Sequence, residues 1–262
     1  MKISISKNNI ATRILLVLLT VIFWFGVWEI LALIVGKTAL LPSPDEVILR
    51  LFGLCKEAPF WSAVGNSIFH IMGGLLIGAL AGALYAIIAY KSSLLLSFAS
   101  PIIAIIKTAP VASFIILAWV WIPRGYIPMF VSFLMVMPLM WQNVYTGLKN
   151  VDPKLRDVCK IFKIKGLSRI RLLYIPSVMP YFTSGFKTAL GFAWKAGIAA
   201  EVLTTPQKTL GKLLYDSKIY LETVDVFALT AVVIIISFIL EKFFVWLIKI
   251  LENRKGAGRC RT

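Results

Sequence analysis

A chain of 262 residues that is 59% hydrophobic and only 15% charged, with a mean hydropathy of +0.86, is not a soluble domain. Its net charge of +16 invites a nucleic-acid reading, but Lys and Arg gather in the links between apolar runs and form no tract interleaved with aromatics, which speaks against that class. The single histidine, His70, has no neighbouring ligands, and Cys55, Cys159 and Cys260 are too far apart to imply a metal cluster or a disulfide framework.

A helix needs about 20 apolar residues to cross a hydrocarbon core about 30 Å thick, and six stretches are predicted to do so. The first, residues 14–36, carries Trp24, Trp28 and Glu29 and lacks a small-residue cleavage site, so it reads as a retained span and not as a signal segment. The second, residues 68–90, places Gly74, Gly78 and Gly82 at spacing four on one face, where small residues let helices approach closely. That row reads as packing inside the bundle, with a dimer seam or moving gate as the alternative. The third and fourth spans, residues 102–122 and 126–148, are divided by a turn at Pro123, Arg124 and Gly125. Pro101, Pro110, Pro128 and Pro138 are expected to kink or limit them.

The link that follows, residues 149–177, holds eight Lys and Arg and reads as a helical hairpin. Asp152 is the expected N-cap, with Pro153 at the first helical position. Leu155, Val158, Cys159 and Phe162 recur at helical spacing, Gly166 is expected to break the helix, Ser168 to cap the next, and Pro176 to limit it. The apolar stripe needs a cover, either anionic headgroups or a soluble partner.

The fifth span, residues 178–200, carries Lys187, Gly191 and Lys195 at spacing four, with Ser184 and Thr188 near the same face. A lysine near the bilayer centre costs about 2.5–3.5 kcal/mol on insertion scales. The face is therefore either a pore lining that favours an anion, or Lys187 snorkels to headgroups while Lys195 pairs with an acid. Trp194 and Glu201 close this span as interface anchor and boundary. The sixth span is residues 226–248, and Glu29, Lys107 and Glu241 are embedded charges whose partners the sequence does not identify. With the N-terminus inside, inner segments hold seventeen Lys and Arg and outer segments seven, which puts both termini in the cytoplasm of a multi-pass cell-membrane protein.

Two rival classes find little support. An ion-coupled secondary transporter is expected to show an internal repeat, and none is visible. A membrane enzyme such as a lipid phosphatase needs acids, Arg or His clustered at one interface, and the acids here are scattered. The chain also lacks a Gly-rich phosphate-binding loop of the Walker type, so it cannot bind ATP by that route.

The segment DVCKIFKIKGLSRIRLLYIP, residues 157–176, resembles the EAA motif of ABC importer permeases, E-A-A-x3-G-x9-I-x-L-P. Asp157, Val158 and Cys159 stand at E-A-A, Leu173 at the isoleucine, Ile175 at the leucine and Pro176 at the proline. Lys163 stands at the motif's glycine, with Gly166 three residues on. LPSP at 41–44, PIIAIIKTAPVASFIILAWVW at 101–121 and AWKAGIAAEVL at 193–203 are similar to the nitrate/sulfonate/taurine branch. The resemblance implies an all-α, six-span type I permease working as a homodimer, with a cytoplasmic ABC ATPase dimer and an extracytoplasmic substrate-binding protein as partners. It implies that the loop is the ATPase-coupling helix, that Trp194 and Glu201 are candidate gate residues, and that ATP and Mg are bound by the partner and not by this chain. The implied cargo is a small anion such as nitrate, a sulfonate, taurine or bicarbonate, with vitamin precursors as the alternative. The expected organisation is a tail, first span and external loop at 1–60, a permease core at 61–249, and a basic tail at 250–262.

Overall fold

The computed structural model describes residues 10–257, and among these it is built of eleven α-helices, a 3-10 turn and a π-helical segment, with no strand. Helices satisfy the backbone N–H and C=O groups of their interiors within the segment, which is what a chain this apolar requires in lipid. The tail residues 1–9 and 258–262, with Cys260, lie outside the described part.

Helix α1 (Ile10–Val35) exposes most of its large apolar side chains, and its described contacts with the bundle are few. One of them is Trp28, whose ring stacks on Phe227 at 6.0 Å and whose Nε1–H donates to the Pro42 carbonyl at 3.1 Å. The expected outer loop contains a short helix, α2 (Pro44–Leu54), begun by Pro44 and by a Ser43 N–H that donates to the Glu46 carboxylate at 3.3 Å. It buries Pro44, Val47 and Leu54. Arg50 on α2 holds both oxygens of Asp225 at 2.6 and 2.7 Å and Glu57 at 2.9 Å, clamping α2 to the starts of α3 and α11. Hydrogen bonding to Asp225 lifts the Arg50 guanidinium further above its ordinary pKa despite partial burial.

The second span is longer than its apolar pattern, running as α3 (Ala58–Lys91) for 34 residues, or about 50 Å at 1.5 Å per residue. The third span is broken where a proline kink is expected, into two helices, α4 (Ser93–Thr108) and α5 (Val111–Trp119), bent by 103°. Pro110 has no N–H to donate, and it forces Ala109 before it to extended backbone at φ −72° and ψ 141°. A 3-10 turn at Arg124–Tyr126 leads into α6 (Ile127–Lys149), which accommodates Pro128 in its first turn and Pro138 inside.

The remaining helices are α7 (Pro153–Ile161), α8 (Gly166–Arg169), α9 (Ile175–Thr204), α10 (Leu210–Ile219) and α11 (Thr223–Ala257), with the π segment Ile170–Tyr174 joining α8 to α9. The core is a sandwich of α3 on α6 and α6 on α9, centred on Ile71, Leu75, Val136, Met140, Ala189 and Ala193. Among the described residues four helices are long and apolar enough to cross a membrane, five if the bent pair counts as one span. The 30-residue α9 is long enough for a sixth crossing but is not among those four, because it carries lysines and hydroxyls amid its apolar residues.

Gly74, Gly78 and Gly82 all face α6. A Cβ added at Gly74 would lie 2.2 Å from the Met129 carbonyl oxygen, at Gly78 2.9 Å from that of Phe133, and at Gly82 2.4 Å from that of Met137. The two backbones therefore meet directly along this row.

Candidate functional site

The hairpin at residues 149–177 begins as its residues dictate. Asp152 Oδ1 accepts the Lys154 N–H at 2.8 Å, and Pro153 opens α7. Its end is a Schellman closure: the Lys163 N–H donates to Lys160 at 3.0 Å, and the Ile164 N–H to Cys159 at 2.8 Å. The residue in the left-handed position is Lys163, at φ +50°, where glycine is usual. Gly166 takes φ +59° and starts the next helix. The bend of the motif's glycine position is thus present although the glycine is not.

Cys159 turns inward against Val151 and Leu173. Leu155, Val158 and Phe162 point away from the protein, joined by Ile161, which is 75% exposed. The expected apolar stripe therefore splits into one anchor and a free face. Among the described residues Asp157 pairs with Lys160 alone, at 2.8 Å and in the open, a contact of little energetic weight.

Two local expectations fail. Ser168 caps nothing, because α8 starts two residues earlier at Gly166. Pro176 ends no helix: the chain widens to π geometry over Ile170–Tyr174, with the Ile175 N–H reaching Ile170 five residues back, and α9 continues. The hairpin's second arm and α9 are one helical path, with Leu173 buried, Ile175 exposed and Pro176 half-buried.

Along that path, Lys187, Gly191, Trp194 and Lys195 line a cleft of about 230 Å³ against Ser237, Leu240 and Glu241 of α11. Lys187 and Lys195 are exposed, and neither they nor Glu241 form an ion pair within 4 Å among the described residues. The pairing expected for Lys195 is absent among the described residues. Trp194 is not an interface anchor: it is buried, and its Nε1–H donates to the Val233 carbonyl at 3.1 Å, tying α9 to α11. Lys107 does find partners, hydrogen-bonding Gln142 Oε1 and lying 5.9 Å from the Trp141 ring centre.

Glu201 does not line the cleft. It is fully buried, with Oε2 accepting from Ser67 Oγ–H at 2.8 Å and from the Gly211 N–H at 3.0 Å. Ser67 Oγ in turn accepts the Leu210 N–H at 2.9 Å. Ser67 went unnoticed in the sequence, where its only signal is its place one turn before Ile71 on the buried face of α3.

Residues 74–256 match the family described as binding-protein-dependent transport system inner membrane component. The chain is 23% identical over 235 residues to the aliphatic sulfonates transport permease protein SsuC of Bacillus subtilis, covering 87% of this chain and 82% of that one. It is 25% identical over 205 residues to the nitrate import permease protein NrtB of Synechococcus elongatus, covering 74% and 73%. Among solved structures, a bacterial alginate ABC transporter in complex with an alginate pentasaccharide-bound periplasmic protein superposes with a TM-score of 0.58 at 13% identity, covering 88% of this chain and 92% of that one.

Proposed function

Because the chain belongs to the binding-protein-dependent transport system inner membrane component family, we propose that it is the permease subunit of an ATP-driven importer that carries a small anion across the cell membrane by alternating access. In this reading residues 61–249 form the permease core, two copies assemble, a cytoplasmic ATPase dimer binds ATP and Mg, and an extracytoplasmic protein delivers the cargo. Both termini and the hairpin lie in the cytoplasm, as the basic residues of the inner segments favour.

The observation that carries the proposal is the hairpin. Leu155, Val158 and Phe162 are exposed apolar groups on a capped helix among eight basic residues, a face suited to a cleft on a soluble partner. The same hairpin runs through the π segment into α9, whose middle lines the cleft. Nucleotide-dependent movement of the docked ATPase would thus reach the path through one continuous helix. The names of SsuC and NrtB, and the two lysines of the cleft with no acid partner among the described residues, support an anionic cargo.

The test is co-purification in mild detergent of the tagged chain beside a double variant, Asp157→Lys with Phe162→Ala. Both positions are exposed, so the fold survives the change. The native chain is expected to bring down an ATP-hydrolysing subunit that the variant loses. Equal recovery with both chains removes the hairpin from the interface, and recovery with neither, across several detergents, removes the ATP-driven reading.

A further inference from the structure

We propose that Glu201 is a latch: with Ser67 it holds the start of α10 against α3 and α9, and its release opens the end of the path opposite the hairpin. The gating half rests on the importer reading above, and the latch half does not.

The position of α10 suits it to this task. It is the link between α9 and α11, the two helices that line the cleft, and it packs on both as well as on α3. Its first turn has backbone N–H groups with no intrahelical partner. Glu201 supplies one acceptor directly, to Gly211, and a second through Ser67, to Leu210. The seat is close: a Cβ on Gly211 would lie 2.2 Å from Glu201 Cβ and 2.6 Å from the Val202 nitrogen. No side chain but hydrogen fits there.

Two features make this contact a latch and not a permanent weld. First, the other carboxylate oxygen, Oε1, is buried with no donor among the described residues. A buried acceptor left unpaired is costly, so lifting α10 and admitting water returns a hydrogen bond that the closed state denies. Second, the link between α9 and α10 is strained. Thr205 and Lys208 both sit in left-handed backbone, at φ +46° and +55°, without being glycine. An open form relieves both penalties, which offsets part of what the hydrogen bonds of the latch hold.

Two unrelated substitutions test the latch. Glu201→Ala removes the acceptor, whereas Gly211→Ala leaves the carboxylate intact and pushes α10 off its seat. Hydrogen exchange of the full chain in lipid nanodiscs is expected to run about tenfold or more faster at residues 205–219 in both variants, with α3 and α6 unchanged. Glu201→Gln, which keeps a neutral acceptor, is expected to fall between. Unchanged exchange at 205–219 in either variant, or a rise shared equally by α3 and α6, overturns the latch. ATP hydrolysis by the assembled complex without its binding protein tests the gate and is expected to rise several-fold in both variants. Faster local exchange without that rise leaves a structural contact and overturns the gate. If no ATPase assembles, the importer reading and the gate fall together, while the exchange result still decides the latch.

Discussion

Lys163 closes α7 at φ +50°, in a backbone region that costs a residue with a Cβ about 1–2 kcal/mol and glycine almost nothing. Glycine gives back part of that difference in the unfolded chain, so Lys163→Gly is expected to stabilise the hairpin by roughly 0.5–1 kcal/mol. The check is slower amide exchange at Lys163 and Ile164, the two donors of the closure. The glycine row of α3 makes the opposite prediction. Gly74→Ala or Gly82→Ala drives a methyl into an α6 carbonyl and is expected to destabilise by about 1–3 kcal/mol, seen as a lower melting temperature in detergent. Gly65→Ala on the same helix meets nothing within 4 Å and should be neutral or stabilising by up to about 1 kcal/mol, which controls for helix propensity. Spacing alone made this row legible, since residues four apart share a helix face. The partner of Ser67 was not legible, because Glu201 lies 134 residues away and nothing local marks the pair.

At the scale of elements, apolar run length located the long helices α1, α3, α6 and α11, and proline governed where that reading broke. Hydropathy is blind to backbone donors, so residues 102–122 read as one span with a proline kink, whereas at Pro110 they turn by 103°. The short helices α2 and α10 were also missed, because each mixes charge with apolar residues in a stretch that reads as loop. Pro176 gives the most useful lesson. Its ring denies a donor to the carbonyl of Leu172, and the chain answers by widening to π geometry just before it. Replacing Pro176 by Ala restores that donor and is expected to let the segment relax to α-helix. Losing the one-residue excess rotates the hairpin by roughly 100° about the axis of α9. Spin labels at Ile161 and Phe192, both exposed, would register this as a changed distance distribution. In the importer reading the same variant keeps its ATPase bound but loses stimulation by cargo, whereas an unchanged distance removes the π segment from the mechanism.

At the scale of the whole molecule, the exposed face of α9 is the feature most at odds with lipid. Ser184, Lys187, Thr188 and Lys195 form one polar stripe on a helix surrounded by apolar neighbours. Lys195 is nine residues from the end of α9, about 13 Å along the axis, too deep for its ammonium to reach headgroups with ease. It has no acid within 4 Å among the described residues. A lysine so placed costs about 2.5–3.5 kcal/mol in hydrocarbon, so it stands against water or against a second copy of the chain. If the cleft is the path, the ammonium attracts an anionic cargo. Lys195→Met should then leave expression and ATPase binding intact, while uptake of the anion held by the cognate binding protein falls about tenfold, the loss of roughly one charge-assisted contact. Lys195→Arg keeps the charge and should keep most of the transport. Equal uptake in the native, Met and Arg forms would mean that the cargo passes elsewhere and that the stripe serves assembly, which a shift in oligomeric state of the Met variant would then reveal.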